Sequence, residues 1–260
     1  MLALAFPDDA FFARVKAAPR RLLMLDYDGT LAPFCVERDL ARPHPGVEGL
    51  LRGILAQGET RLAIVSGRPL ADVERLLPIG PPLELWGSHG WERRTAGGEK
   101  VAPPLPPGAP ERLNRAKLLA EKEMSENLEA KPAGLALHWR GKPAVEVERM
   151  RNWGYAHWRP LTSPSLLELL EFDGGIELRV PSRTKGTAVE ELLAESAPET
   201  LAVFLGDDRT DEDAFQVLRN KGYGILVNAQ QRDTFASYWI NTTDRLLEFL
   251  KRWDEIARKD

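Results

Sequence analysis

Two aspartates separated by one residue, Asp26 and Asp28, follow the apolar run Leu22-Leu23-Met24-Leu25 and precede Gly29-Thr30-Leu31. Side chains alternate along an extended chain, so this spacing predicts two carboxylates leaning the same way off a strand's carboxyl end. Gly29 predicts a sharp turn immediately after them. Two carboxyls facing one pocket resist ionisation unless a cation lies between them, and a hard ion such as Mg2+ suits oxygen ligands. With its charge held in this way, Asp26 keeps an oxygen free to attack phosphorus as a nucleophile.

Three further segments carry matching chemistry. In Ser66-Gly67-Arg68 a hydroxyl and a glycine admit close approach of a phosphoryl group. In Arg183-Thr184-Lys185-Gly186 the lysine is predicted to open a helix and to offset charge between nucleophile and phosphoryl oxygens. The run Gly206-Asp207-Asp208-Arg209-Thr210-Asp211-Glu212-Asp213 follows the apolar Leu201 to Leu205 and would repel itself without a cation. Asp207 is placed like another metal ligand. Asp211 could hold a metal-bound water or orient Lys185, Asp208 could do either, and Glu212 and Asp213 are predicted to cap the next helix.

These segments sit at the ends of elements. Apolar runs at Leu22 to Leu25, Arg61 to Val65, Leu83 to Trp86, Leu201 to Leu205 and Gly224 to Val227 read as strands. Helices are predicted over Pro45 to Gln57, Pro69 to Leu77 and Lys185 to Glu195. Strands buried on both faces and joined by helices form a parallel, doubly wound α/β sheet, whose ligands gather at the carboxyl ends. Between them, Ala102 to Pro110 is proline-rich and reads as a linker. Beyond it, helices are predicted over Glu111 to Leu128, Glu146 to His157 and Leu161 to Leu170, with one-faced strands at Ala133 to Arg140 and Ile176 to Val180. The expected organisation is a core of residues 1–103 and 182–260 with a smaller α+β unit inserted over 104–181.

Composition excludes other classes. A net charge of -4 over 260 residues offers no basic surface for nucleic acid. A single cysteine, Cys35, rules out an internal disulfide and a multi-cysteine metal site, in keeping with a reducing cytoplasm. The opening Met1-Leu2-Ala3-Leu4-Ala5-Phe6 is short and lacks a basic flank, so neither a signal nor a membrane segment is expected there.

In this order, the four segments resemble the haloacid dehalogenase superfamily of aspartate-nucleophile phosphotransferases. The strings DYDGTLAPF, SGR, GSHG and GDDRTDEDAF together are similar to the trehalose-6-phosphate phosphatase family. That resemblance implies a Rossmann-like core with an inserted C2-type cap, and Mg2+ as cofactor. It implies Asp26 as nucleophile and metal ligand, and Asp28 as general acid and then base, with its backbone carbonyl on the metal. Asp207 would complete the ligands, and Ser66, Gly67 and Lys185 would bind phosphate. Leu128-Glu129-Ala130-Lys131, Ala136-Leu137-His138-Trp139-Arg140 and Ile176-Glu177-Leu178-Arg179 are similar to the family's sugar-holding cap segments, so Glu129, Lys131 and Glu177 would bind sugar hydroxyls. Arg68, His89 and Gly90 join the expected substrate-binding set, although Arg68 is better suited to brace acidic residues. The implied reaction is Mg-dependent hydrolysis of trehalose 6-phosphate, with a trehalose-6-phosphate synthase as a candidate partner. Two alternatives keep parts of the pattern: the same chemistry on a glucosylglycerate, sucrose or mannosylglycerate phosphate, or a non-catalytic partner of a sugar-phosphate synthase. The latter would be marked by loss of Asp26, Asp28 or Lys185, and all three are present.

Overall fold

The computed structural model describes residues 4–172 and 174–258. The chain divides into two compact units, Met1–Val101 with Thr184–Asp260, and Ala102–Arg183. The first unit begins with α1 (Asp9–Ala17), β1 (Arg20–Leu25), α2 (Val47–Ala56), β2 (Thr60–Val65), α3 (Leu70–Leu76), β3 (Glu84–Gly87), β4 (Glu92–Arg94) and β5 (Lys100–Val101). The second holds α4 (Ala109–Glu123), β6 (Leu128–Lys131), β7 (Gly134–His138), α5 (Ala144–His157), β8 (Glu168–Phe172) and β9 (Gly175–Arg179). The chain then returns to the first unit through α6 (Lys185–Ala194), β10 (Thr200–Gly206), α7 (Glu212–Leu218), β11 (Gly222–Val227), β12 (Tyr238–Ile240) and α8 (Thr243–Ala257).

The core sheet runs β12-β11-β10-β1-β2-β3-β4-β5. It is parallel from β12 to β3, and β4 and β5 add an antiparallel edge. Strand residues alternate between two apolar layers, the pattern of a sheet covered on both faces. Leu23 and Leu25 pack with Phe11, Leu51, Val73 and Trp253 on the α1, α2, α3 and α8 side. Leu22, Met24 and Phe204 pack with Val189, Leu192 and Phe215 on the α6 and α7 side. Truncating fully buried Phe204 to alanine would cost about 3–5 kcal/mol, because the cavity could not close.

Strand order reverses direction between β1 and β10, which creates the crevice where ligands bind in such sheets. The register pairs Leu25 with Leu205 on one side and with Ile64 on the other. Asp26, Asp207 and Ser66 therefore follow adjacent strands at one sheet edge.

The inserted unit is an antiparallel sheet, β6-β7-β9-β8. Leu135, Leu137, Ile176 and Leu178 are buried, on the face away from Glu129, Ala136 and Glu177, which lie opposite one another across the register. Trp158, fully buried on the α5 side, donates from its indole to the Ala116 carbonyl of α4 at 3.2 Å, so the helices lock to each other. Two expectations fail in this unit. The helix predicted over 161–170 is instead a short 3-10 turn at Arg159–Leu161 followed by β8, because pairing with β9 overrides the helix-like spacing of Leu166, Leu167, Leu169 and Leu170. The helix predicted over 111–128 stops at Glu123, leaving Leu128 to begin β6.

Candidate active site

β1 stops at Leu25, and the chain turns at once. The amides of Leu31 and Ala32 both donate to the Tyr27 carbonyl at 2.9 Å, and the Gly29 amide donates to Ala32 at 2.8 Å. The Tyr27 ring is buried, with its hydroxyl donating to the Ala41 carbonyl at 2.8 Å. Gly29 has φ +80°, and a β-carbon there would collide with the Asp207 carboxylate, so only glycine lets the two loops approach.

Asp26, Asp207 and Asp211 are buried together and offer oxygens within 4.8 Å of one another. Lys185, the first residue of α6, donates to Asp26 Oδ1 and to Asp211 Oδ1, each at 2.7 Å. The Asp211 Oδ2 accepts from the amides of Asp207 at 3.0 Å and Asp208 at 2.9 Å. Both oxygens of Asp211 are thus engaged, and it orients Lys185 and the acidic loop. One ammonium cannot balance three carboxyls. Burial pushes Asp26 up to about 7 against the pull of Lys185, with Asp211 adding to the rise. Burial, then Asp26 and Asp211, lift Asp207 well above the usual carboxylate range. Burial alone would lower the Lys185 ammonium, but Asp211 and Asp26 outweigh it and hold it high. The buried Asp207 Oδ1 has no hydrogen-bond partner. A hard divalent cation fits this donor set, since it would satisfy the orphaned oxygen and relieve the repulsion.

Asp28 does not lean with Asp26 into this cluster. The turn swings its carboxylate to the Arg68 guanidinium, which donates Nε to Oδ2 and Nη2 to Oδ1, both at 2.6 Å. The alternation expected of an extended chain ends one residue too early. Arg68 also donates to the Arg38 carbonyl at 2.9 Å and is buried, which makes it a brace for Asp28. Ser66 is buried at the end of β2, where its Oγ accepts from the Arg68 amide at 3.1 Å. Gly67 lies under the His89 ring, which would sit 2.7 Å from a β-carbon there. Ser88 and His89 carry φ of 49° and 56°, a left-handed turn unusual for side-chain-bearing residues. Gly90, at φ +95°, packs against Ala188 and the Thr184 carbonyl, so it seats the start of α6.

The chain matches the trehalose-phosphatase family model over residues 24–243. It belongs to that family. The chain is 32% identical to the probable trehalose-phosphate phosphatase 4 of Oryza sativa subsp. japonica over 94% of its own length and 69% of the relative's. It shares a fold with the C-terminal domain of the Candida albicans trehalose-6-phosphate phosphatase, with a TM-score of 0.80 at 22% identity, covering 98% of this chain and 99% of the other. It also shares a fold with the C-terminal domain of the Candida albicans trehalose synthase regulatory protein, with a TM-score of 0.73 at 14% identity, covering 96% and 99%. Fold alone therefore does not separate a catalyst from a regulator, and the side chains of this family member must decide.

In the inserted unit, the phosphatase-family chain gathers a second polar cluster. Lys131 Nζ lies 2.7 Å from Glu177 Oε1 and 3.8 Å from Glu129 Oε2, and His138 Nε2 is hydrogen-bonded to Glu129 Oε2 at 2.7 Å. His138 lies on the face of Glu129, as its alternation with Ala136 on β7 requires. Asp208 accepts from the Arg209 amide at 2.6 Å and closes the turn at Arg209–Asp211. Glu212 and Asp213 stand in the first turn of α7, whose cap position is Asp211, and the Glu212 carboxylate turns to another loop: it accepts from the Phe235 amide at 2.8 Å and the Thr234 hydroxyl at 3.1 Å, and pairs with Arg232. Arg232 had no local signal, because its partners lie about twenty residues earlier. Among the described residues no helix is long and apolar enough to cross a membrane.

Proposed function

We propose that this chain hydrolyses trehalose 6-phosphate to trehalose and phosphate, with Asp26 as nucleophile and Mg2+ as cofactor. The observation that carries the reading is the buried trio of Asp26, Asp207 and Asp211, with Lys185 bonded to Asp26 and Asp211 and an orphaned oxygen on Asp207. Asp26, Asp207 and the Asp28 backbone carbonyl would hold the ion, and its charge would neutralise phosphoryl oxygens and permit Asp26 to approach them ionised. Asp26 attacks phosphorus in line, the bond from phosphorus to the sugar oxygen breaks, and Asp28 delivers a proton to that oxygen. Water then attacks the aspartyl-phosphate, the bond from phosphorus to Asp26 breaks, and Asp28 accepts the water's proton. Arg68 grips both oxygens of Asp28 at 2.6 Å and would release one of them for Asp28 to carry the proton in either half. Lys185 and Ser66 steady the phosphoryl oxygens, which carry most of the charge in a loose transfer. Glu129, Lys131 and Glu177 offer acceptors and donors suited to sugar hydroxyls.

A phosphate-release panel tests this: trehalose 6-phosphate against sucrose, glucosylglycerate and mannosylglycerate phosphates, each with Mg2+ and with chelator. Preferred turnover of trehalose 6-phosphate that vanishes on chelation is expected. Faster release from another phosphate would reassign the substrate while leaving the chemistry, and release insensitive to chelation would remove the cofactor.

A further inference from the structure

Asp207 is the carboxylate with the orphaned oxygen, and what holds its main chain determines where that oxygen points. On the amino side, its amide is fixed by Asp211 Oδ2 at 3.0 Å. On the carboxyl side, the contacts come from a distant segment. Arg232, in the loop between β11 and β12, donates from Nη2 to the Asp207 carbonyl at 3.2 Å and to the Asp208 carbonyl at 2.8 Å. Its Nη1 pairs with the Glu212 carboxylate and donates to the Asp233 carbonyl at 3.0 Å. The Asn228 amide also reaches the Asp207 carbonyl, but at 3.5 Å it is at the limit of a hydrogen bond. One planar guanidinium thus spans three consecutive features of the acidic loop: two carbonyls and the first carboxylate of α7.

From this arrangement we propose that Arg232 is a positioning residue for the cation site, fixing the Asp207 peptide so that its free oxygen stays aimed where the ion binds. The proposal rests on the metal-dependent reading above. Outer groups that orient a ligand commonly alter metal affinity about 10–100-fold when removed. The geometry also demands arginine: a lysine offers a point charge on a flexible stem and cannot hold both carbonyls and Glu212 in one plane.

Mg2+ alone, titrated calorimetrically into the metal-free full chain, separates the possibilities, with thermal melts in chelator confirming that each variant is folded. Wild type is expected to bind and Asp207→Asn to lose binding. Arg232→Met should bind about tenfold more weakly or worse, and Arg232→Lys should also bind several-fold more weakly despite keeping its charge. Should Arg232→Met not fold, Arg232→Lys decides. Affinity within twofold of wild type for folded Arg232→Lys or Arg232→Met overturns the role of Arg232 and leaves the metal reading intact. Wild type that does not bind Mg2+, or Asp207→Asn that binds as wild type does, overturns both.

Discussion

The core and the inserted unit each bury a lysine among carboxylates, yet the two clusters are balanced differently. In the core, Lys185 meets two of three clustered aspartates, Asp26 and Asp211, and a buried oxygen of the third, Asp207, is left without a partner. In the inserted unit, Lys131 meets two glutamates, and His138 engages one of them. An excess of buried negative charge is costly unless a cation enters. A near-balanced set of donors and acceptors is already satisfied and can exchange its internal bonds for neutral hydroxyls at little net cost. On the proposed reading, the same residue classes would suit an ion in one unit and a sugar in the other.

The largest expected effect comes from Asp26, the core carboxylate proposed as nucleophile. Asp26→Asn should lower phosphate release from trehalose 6-phosphate by on the order of 10^4-fold or more, while circular dichroism stays that of wild type. Turnover within tenfold of wild type would show that another group is the nucleophile and would leave the trio as an ion site only.

Asp207→Asn tests the imbalance itself. Carboxyls whose folded pKa lies above the unfolded value hold extra protons in the native state, so stability falls as pH rises between the two values. For Asp26 that window runs from 3.8 to about 7. Burial, Asp26 and Asp211 all oppose an ionised Asp207, so an uncharged amide in its place should raise the Tm of the metal-free chain at pH 7.5, by roughly 2–4 °C for each kcal/mol of that opposition removed. Added Mg2+ should raise the Tm of wild type and leave the variant unmoved. A variant that melts below wild type in chelator would show that the trio is not repulsive as built.

How much of this contrast could be read from the chain differs between the units. Core strands are apolar throughout because both faces are covered, so β1, β2, β3, β10 and β11 were visible within a few residues, and their polar ends marked the site. In the inserted unit one face is polar, and clustered leucines near β8 imitated a helix until pairing with β9 decided otherwise. Helix α8 is legible in its spacing: Leu246, Phe249, Leu250, Trp253 and Ala257 recur at helical intervals behind the Thr242 cap. The bracing role of Arg68 was legible but its partner was not, since the pairing with Asp28 spans forty residues, and the grip of Arg232 on the acidic loop depends on β11 lying beside β10.

Lys131→Met and Glu177→Gln sharpen the other half of the comparison. Each should raise KM for trehalose 6-phosphate by about 10–100-fold, the loss expected for hydrogen bonds to charged groups. Neither should shift the Mg2+ dependence. Equal losses on a small aryl phosphate would mean that this cluster supports the unit's fold rather than sugar recognition.

The smallest effect belongs to a third cluster, where cations equal anions. Glu195, at the end of α6, pairs with Arg93 at 2.6 Å and Arg61 at 2.6 Å, and both arginines also reach buried Glu84. Hydrogen bonds from Arg93, and then Arg61, outweigh burial and pull the Glu195 carboxyl down to about 2 from its usual 4.5. A depressed pKa contributes stability that is present above the unfolded value and lost as pH falls through the folded one. Glu195→Gln should therefore melt below wild type at pH 7, with the gap closing between pH 4.5 and about 2. Because this side chain is 43% exposed, solvent screening limits the gap to about 1 kcal/mol or less. The pH slope should run opposite to that of the core trio, where acid relieves strain instead of releasing a bond. If the two clusters respond to acid with the same sign, charge balance is not what distinguishes them.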